Sequence, residues 1–231
     1  MDSPYFFEKD LPDSDEFIVS EETSRHISQV LRIQEGEKII ITNGKGYTLH
    51  ALVISPHKKN TKVKIIKKEF SARVGPKTAI GISLIKNNKR FEWFAEKVTE
   101  IGISAITPMI CKRTEKNQFK KERTISILIS AMLQSQQSWL PELHESENIS
   151  EVIENENYEQ KFIAHCIEEE KQELKKLVQK NASKIILIGP EGDFTNEEIE
   201  AATKNNYIPV SLGETRLRTE TAGIVAAVLL K

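Results

Sequence analysis

The segment that most constrains the fold is 184–230, KIILIGPEGDFTNEEIEAATKNNYIPVSLGETRLRTETAGIVAAVLL. It contains two short apolar strands, and each is followed by a glycine-bearing loop and then by a helix. The first strand, 185–188, ends at Gly189, and the second, 208–212, ends at Gly213. In open α/β sheets, ligands bind beyond such strand ends, where glycines and helix N-termini expose backbone N–H groups. The same strand–glycine–helix pattern also occurs in connections that bind no ligand. The pattern alone therefore leaves open whether these loops form a ligand site or are ordinary connections.

The sequence before this segment also alternates between strands and helices, which predicts a largely parallel α/β sheet. Thr195 and Glu198 have the spacing of a capping box, and they predict a helix that runs to about Lys204. We interpret the acidic segment 142–160 as a connecting loop. The other predicted strands are 78–85, 104–110 and 161–166, and the other predicted helices are 88–101, 122–137 and 168–180.

Residues 1–72 have a different pattern and predict a separate β-rich domain, with the α/β domain covering 73–231. The sequence NGKG at 43–46 lies between two apolar runs and is typical of a β-hairpin turn. A short helix is predicted over 21–32. The residues expected to face inward from this helix are Ile27, Val30 and Leu31.

The charges nearly cancel over the whole chain, with 33 Lys and Arg against 34 Asp and Glu, but they are distributed unevenly. Between 55 and 90, eleven basic residues oppose one acid. This run favours RNA binding, although a solvated surface gives the same pattern. Lys62, Lys64 and Lys67 are expected on one face of a strand, either to contact RNA or to protect an exposed edge from aggregation. The candidate RNA-binding residues are Arg32, Lys62, Lys64, Lys67, Lys89, Arg90 and Arg216.

The sequence contains no motif for a metal site, a redox site or a nucleotide-binding site. Cys111 and Cys166 lack metal or redox spacing, and the five histidines are scattered. Neither GxGxxG nor the P-loop motif occurs. No signal peptide is visible, and the apolar end at 222–230 is too short to span a bilayer. We therefore expect a cytoplasmic protein without metal or membrane partner, whose reaction depends on a bound cofactor.

Three motifs resemble those of a known family: GPEG at 189–192, LGETRLRTETAG at 212–223 and EKVTEIGI at 96–103. They are similar to the ribosomal RNA small subunit methyltransferase E family, which belongs to the SPOUT superfamily. The resemblance implies an α/β methyltransferase domain with a trefoil knot, preceded by a PUA-like β-barrel that helps to bind RNA. It also implies a homodimer that uses S-adenosylmethionine to methylate N3 of one uridine in the 16S ribosomal RNA of the 30S subunit.

The resemblance further assigns residues to a cofactor pocket. Backbone groups of the first two motifs would hold the adenine, and Glu191 would face the sulfonium. The implied cofactor-binding residues are Leu187, Ile188, Gly189, Pro190, Glu191, Gly192, Leu212, Gly213, Leu217, Arg218, Thr219, Thr221 and Ala222.

Two residues of the second motif are candidates for catalysis. Methylation of uracil N3 requires loss of a proton, and the resulting negative charge spreads onto O2 and O4. Arg218 would stabilise this charge. Two alternative roles for Arg218, a contact with an RNA phosphate and a salt bridge to Glu220, fit the sequence equally well. Glu220 itself is either a catalytic base or a group that complements the helix dipole. Thr219 is also a candidate N-cap.

The sequence departs from the family pattern at three places. Asp193 stands where the family's GPEGG motif has its second glycine, and Thr215 stands where an arginine is common. Segment 133–137, LQSQQ, lacks the glutamate and arginine that the family often has there. We expect cofactor binding to survive these changes, whereas they leave the recognition of RNA open.

The last helix is apolar on almost every side from 222 to 230. Such a helix must be covered all round, either inside its domain or by a second subunit. The resemblance favours the second subunit.

Two alternatives to the implied reaction stay open. A SPOUT enzyme for another RNA position, such as a ribose 2′-hydroxyl, would form a different methylated nucleoside. A non-enzymatic RNA-binding assembly factor would lack affinity for the cofactor. A hydrolase that binds phosphate in the glycine loops is a third possibility, but the sequence contains no catalytic set for it.

Overall fold

The structure is a computed structural model, and it describes residues 3–115, 118–155, 157–167 and 171–231. The chain divides into two compact units. The first contains Met1–Val74 and Met132–Leu140, and the second contains Gly75–Ala131 and Pro141–Lys231. The predicted α/β domain included 132–140, because a segment that packs on a distant part of the chain has no local pattern that indicates it.

The first unit is built on one five-stranded sheet. Its strands are β1 (Tyr5–Phe7), β2 (Glu16–Ile18), β3 (Lys38–Thr42), β4 (Tyr47–Ser55) and β5 (Lys62–Phe70). They pair in the order β1-β3-β4-β5-β2, and only the pair β1 and β3 is parallel. The antiparallel pair β3 and β4 confirms the hairpin predicted at 43–46. Alternate residues of the strands, among them Ile41, Leu49 and Val63, form a fully buried core.

The predicted helix over 21–32 changes its geometry half-way. Helix α1 (Glu21–Arg25) is followed by a π-helical turn, His26–Val30, in which the Leu31 N–H donates to the His26 carbonyl at 2.9 Å. A π turn holds one more residue than an α turn and so rotates the following side chains. Ile27 is buried as predicted, whereas Val30 is 65% exposed and Leu31 46% exposed. The prediction that the last two face inward is wrong.

A β-bulge arranges the basic side chains of β5. The register pairs His50 with Lys67 but Ala51 with Ile65, so Ile66 is an extra residue. Without the bulge, Lys64 and Lys67 would lie on opposite faces, because side chains alternate along a strand. With it, Lys62, Lys64 and Lys67 share the outer face of the sheet. This agrees with the predicted common face, although the simple alternation used for the prediction did not include the bulge.

The elements after β5 alternate as predicted. They are β6 (Thr78–Ser83), α2 (Asn88–Ile101), β7 (Ala105–Ile110), α3 (Lys121–Gln134), β8 (Glu142–Leu143), β9 (Glu147–Asn148), α4 (Ile149–Asn155), β10 (Gln160–Ala164), β11 (Gln172–Glu173), α5 (Leu174–Leu177), β12 (Lys184–Ile188), α6 (Asn196–Lys204), β13 (Ile208–Ser211) and α7 (Thr219–Leu230). Among the described residues, none of the helices has the length and apolarity that crossing a bilayer demands.

The sheet of the second unit has the order β11-β13-β10-β12-β6-β7-β8, with β9 also on β7, and all its pairs are parallel. This confirms the predicted parallel α/β architecture. Strand β10 lies between β12 and β13, so the ends of these three strands meet at one edge of the sheet. The two glycine loops are thereby brought together.

Three predicted elements differ from the structure. Segment 142–160 is not a connecting loop, because it contains β8, β9 and α4. The helix predicted over 168–180 begins outside the described residues, and its described part forms only β11 and the single turn α5. Helix α3 ends at Gln134 rather than at Gln137, and Gln136 has a φ of 55°, which a helix does not allow.

Helix α7 packs closely on α2 through Gly223. A Cβ atom built at Gly223 would lie 2.5 Å from Cε2 of Phe94. Glycine inside a helix usually costs about 1 kcal/mol relative to alanine, so replacement by alanine is normally stabilising. At this position the contact with the fully buried Phe94 ring reverses the sign.

We therefore expect Gly223→Ala to lower the free energy of unfolding by about 1–3 kcal/mol in urea titrations. In a Phe94→Leu background, Gly223→Ala should lower the free energy of unfolding by less than it does in the wild type, because the smaller leucine side chain makes room for the added methyl group. Equal losses in both backgrounds would contradict a clash with Phe94.

Candidate functional site

A cavity of about 620 Å³ opens at the edge of the parallel sheet where β10, β12 and β13 end. Its volume is in the range of small-molecule and cofactor sites. The loops after all three strands and the first turn of α7 contribute to its wall. The lining residues are Ala164, His165, Cys166, Lys171, Ile188, Gly189, Pro190, Glu191, Asp193, Val210, Ser211, Leu212, Gly213, Glu214, Thr215, Arg216, Leu217, Arg218, Thr219 and Ala222.

The loop after β12 is folded tightly on itself. A Cβ atom at Gly189 would lie 3.1 Å from Cδ2 of the buried Phe194, so the backbone approaches the ring more closely than most residues permit. Helix α6 begins with the capping box of Thr195 and Glu198, as predicted. On the outside, Arg113 Nη1 donates to the carbonyls of Gly192 at 2.7 Å and Phe194 at 3.3 Å. These contacts fix the loop before any ligand binds.

A buried hydrogen bond joins the two motif loops. The hydroxyl of Thr219, the first residue of α7, donates to the Gly189 carbonyl at 3.0 Å, and Thr219 is only 4% exposed. The N-cap of α7 is Arg218 rather than Thr219, so the hydroxyl is not used for capping as the alternative interpretation suggested. The bond ties the start of α7 to the end of β12.

Asp193 joins a third loop to the cavity. Its Oδ2 accepts a hydrogen bond from the Cys166 backbone N–H at 2.7 Å, and its Oδ1 accepts one from the Phe194 N–H at 2.8 Å. Its φ is 65°, in the left-handed region where glycine is common and aspartate is tolerated. The residue that departs from the GPEGG pattern therefore has a backbone conformation suited to glycine and also adds a link to the loop after β10.

Most of the predicted cofactor residues lie at this cavity. Those that line it are Ile188, Gly189, Pro190, Glu191, Leu212, Gly213, Leu217, Arg218, Thr219 and Ala222. Leu187 is buried in the core and does not line it, and neither do Gly192 and Thr221. Arg216, predicted to bind RNA, is also at its wall.

Several lining residues had no predicted role, among them His165, Cys166 and Lys171. His165 and Cys166 directly follow β10, whose position between the other two strands was not known. Lys171 donates to the His165 carbonyl at 2.9 Å, so its ammonium group holds this loop in place. A strand that ends at the same sheet edge is the feature that would have identified them.

Glu220 does not line the cavity. It is 5% exposed, and the ion pair that its Oε1 makes is with Arg90 Nε of α2, at 3.6 Å. One alternative prediction was a salt bridge between Arg218 and Glu220. In the structure, the ion pair of Glu220 is with Arg90 instead. The other carboxylate oxygen of Glu220 is buried and has no hydrogen-bond partner among the described residues. Arg218 and Arg216 are exposed, and both remain free to approach a ligand at the cavity mouth.

The other predicted RNA-binding residues are at the surface of their units. Arg32, Lys62, Lys64, Lys67 and Lys89 are exposed, and Arg90 is half-buried. Lys62 pairs with Glu16 at 2.7 Å and Lys67 pairs with Glu69, so part of their charge is neutralised locally. In the part of the chain that the structure describes, no group of three or more His, Cys, Asp or Glu side chains could hold a metal ion.

The sequence of the second unit matches a family model described as an RNA methyltransferase domain, over residues 74–231. The chain belongs to the RNA methyltransferase family. A second model, described as an RNA methyltransferase PUA domain, matches residues 19–66 within the first unit.

Relatives of this RNA methyltransferase extend over its whole length. Ribosomal RNA small subunit methyltransferase E of Buchnera aphidicola is 29% identical over 98% of this chain and 91% of the relative. The crystal structure of a probable rRNA-methyltransferase from Porphyromonas gingivalis is 33% identical, with a TM-score of 0.91 over 97% of this chain and 95% of that one. Ribosomal RNA small subunit methyltransferase E from Neisseria gonorrhoeae, bound to S-adenosyl methionine, is 26% identical, with a TM-score of 0.87 over 98% and 95%. These similarities confirm the predicted resemblance to the ribosomal RNA small subunit methyltransferase E family.

The two cysteines of this RNA methyltransferase should differ in reactivity. Burial raises the pKa of the Cys111 thiol to about 12, so about 1 in 10,000 of these thiols is ionised at pH 8. Cys166 is exposed at the cavity wall. We expect iodoacetamide at pH 8 to label Cys166 and spare Cys111 in the native protein, as read by peptide mass spectrometry. S-adenosylmethionine should slow the labelling of Cys166, and unchanged labelling would contradict a ligand in this cavity.

Proposed function

We propose that the protein is an S-adenosylmethionine-dependent methyltransferase that methylates N3 of a specific uridine in the 16S ribosomal RNA of the small subunit. The observation that carries the proposal is the cavity of about 620 Å³ formed by the GPEG loop and the LGETRLRTETA loop. Relatives that share the full length of the chain are ribosomal RNA small subunit methyltransferases E, and one of them is a structure with S-adenosyl methionine bound.

The residues at the cavity fit this cofactor. Its apolar wall, which includes Ile188, Leu212 and Leu217, suits an adenine ring, and the backbone of the two glycine loops supplies donors and acceptors for its nitrogens. Glu191 and Glu214 place acidic groups at the wall, which suits a positively charged sulfonium. When bound, S-adenosylmethionine supplies an electrophilic methyl group.

The protein's own residues would bind and orient the uridine and stabilise its charge. Loss of the N3 proton to solvent water leaves negative charge on O2 and O4 of the base. The guanidinium of Arg218 is exposed at the cavity wall, where it can donate to these oxygens. The Thr219 bond to the Gly189 carbonyl keeps the two loops at a fixed separation, which favours alignment of N3 with the methyl group. The buried carboxylate of Glu220 forms an ion pair with Arg90. We therefore assign Glu220 to positioning the Arg90 side chain rather than to removing the N3 proton.

The finer features of the fold belong to the same proposal. We infer a SPOUT-type trefoil knot in the region of the two motif loops and a PUA-like β-barrel in the first unit. The proposed domains are 1–72 and 73–231, except that segment 132–140 belongs to the first unit. The protein is proposed to act as a cytoplasmic homodimer. Helix α7 supports the dimer, because Val228 is 59% exposed and Ile224, Val225 and Leu229 are only half-buried on a helix with no polar face. Sedimentation velocity should show a single dimeric species, and a monomer at all concentrations would contradict this point.

Methyl transfer to purified ribosomal subunits tests the function. We expect labelled S-adenosylmethionine to methylate 30S subunits from a strain that lacks the enzyme, and to leave 50S subunits unmodified. Binding of S-adenosylmethionine without transfer to any RNA would contradict the proposed substrate. Absence of both binding and transfer would favour a non-enzymatic assembly factor.

A further inference from the structure

Three aromatic rings form a continuous group at the surface of the first unit. The ring centroids of Tyr47 and Phe70 are 4.9 Å apart, and those of Phe70 and Trp139 are 6.2 Å apart. Phe70 is 57% exposed and Tyr47 is 38% exposed, while Trp139 is half-buried. We call these three residues the aromatic surface. Single exposed apolar residues are common, but adjacent exposed aromatic rings are typical of a binding surface.

Trp139 is held rigidly in this position. Its indole Nε1–H donates to the Ser71 carbonyl at 2.8 Å. The backbone of its segment is paired with the hairpin turn, since the Gly46 N–H donates to the Ser138 carbonyl at 2.8 Å and the Leu140 N–H to the Gly44 carbonyl at 2.9 Å. A Cβ atom at Gly46 would lie 2.7 Å from the indole ring, so only glycine leaves room for it. The ring is therefore preorganised, and binding a ligand would cost little side-chain entropy.

A cationic side chain lies over each of two rings of the aromatic surface. Lys68 Nζ lies 5.5 Å from the centroid of the Tyr47 ring, and the guanidinium carbon of Arg73 lies 4.7 Å from the centroid of the Trp139 ring. Neither side chain is fully buried, and Lys68 is exposed. Alternating aromatic and cationic side chains provide base stacking and attraction to phosphates at the same place. This arrangement is complementary to a nucleic acid strand whose bases are free to stack.

We propose that the aromatic surface binds unpaired nucleotides of the ribosomal RNA by stacking, with Lys68 and Arg73 next to the adjoining phosphates. This proposal rests on the proposed function, because it takes ribosomal RNA as the partner. An RNA duplex covers the faces of its bases by pairing and stacking, whereas loops and single strands can present them to aromatic rings. The surface therefore selects single-stranded RNA and contributes to affinity rather than to chemistry.

Fluorescence of Trp139 tests the proposal without any methylation assay. The chain contains two tryptophans, so the Trp93→Phe variant leaves Trp139 as the reporter. A single-stranded oligouridylate should quench its emission in a saturable manner, and an RNA duplex of equal charge should quench it weakly. Absence of quenching by the single strand would overturn the proposal. The proposed function is tested separately, by methylation of uridine N3 in 30S subunits with the full-length wild type.

Substitutions at Phe70 separate stacking from simple packing. Phe70→Ala and Phe70→Leu should each weaken oligouridylate binding, and raise the KM for 30S subunits, by roughly five- to hundredfold with kcat retained. Leucine keeps most of the apolar contact, so a loss in both variants identifies the ring face as the contact. Phe70→Tyr should bind like the wild type. Ile66→Ala is the matched control, because Ile66 is 53% exposed on the same strand and lies outside the aromatic surface. Equal effects at Ile66 and Phe70, or retained binding in Phe70→Leu, would overturn the proposal.

Discussion

Replacement of Arg218 by alanine should lower kcat for methylation of 30S subunits by about 100- to 1000-fold. The guanidinium is exposed at the wall of the cavity, and no acidic partner among the described residues forms an ion pair with it. Its charge is thus available for the negative charge that develops on O2 and O4 of the uracil. Backbone groups of the motif loops, rather than the Arg218 side chain, are expected to hold the adenine. The dissociation constant of S-adenosylmethionine, measured by calorimetry, should therefore change little.

Arg216→Ala is the matched control for this experiment. Arg216 lies in the same loop, is equally exposed and lines the same cavity, so its removal changes the local charge by the same amount. We expect Arg216 to contact only RNA phosphates. Its loss should then raise the KM for 30S subunits and weaken the dependence of this KM on salt concentration, with kcat retained. Similar losses of kcat in both variants would show that net charge near the cavity, and not the position of Arg218, matters for the reaction.

Thr219→Val should weaken the binding of S-adenosylmethionine by about tenfold. Valine has nearly the same shape as threonine, but it cannot donate the buried hydrogen bond to the Gly189 carbonyl. The carbonyl would then lose this donor in a site shielded from water, and the two motif loops would no longer be fixed to each other. Calorimetry of the variant, with circular dichroism to check folding, measures the effect.

The control is Thr221→Val, two residues further along α7. The family resemblance assigned both threonines to the cofactor, but Thr221 does not line the cavity. We expect the affinity of Thr221→Val for S-adenosylmethionine to equal that of the wild type. If Thr221→Val weakens binding as much as Thr219→Val, the hydrogen bond between the loops is not the cause.

Local patterns predicted the elements that bring the two motif loops together. Helix α2 begins and ends as predicted, because its apolar periodicity is regular and Gly102, with a φ of 87°, supplies the left-handed residue that ends it. The capping box at Thr195 was also recognisable from spacing. The convergence of the two loops follows from the parallel sheet, in which neighbouring strands end at the same edge.

Features that depend on tertiary neighbours were not predictable. Cys166 reaches the cavity because β10 lies between β12 and β13, and strand order is not encoded in a single strand. The π turn after α1 and the bulge at Ile66 each add one residue to a regular repeat, so they change which side chains face the core without changing composition. Trp139 packs on a hairpin almost a hundred residues earlier in the chain, and no local pattern indicates such a partner.

Mass spectrometry of the nucleosides of 16S ribosomal RNA decides whether the protein methylates N3 of uridine. The 30S subunits would come from a deletion strain and be incubated with the purified protein and S-adenosylmethionine. We expect 3-methyluridine to appear with the wild-type protein and to be almost absent with Arg218→Ala. A different product, such as a 2′-O-methylated nucleoside, would contradict the proposed target atom while leaving the cofactor site intact. No methylated nucleoside, together with no binding of S-adenosylmethionine, would contradict the enzymatic function itself.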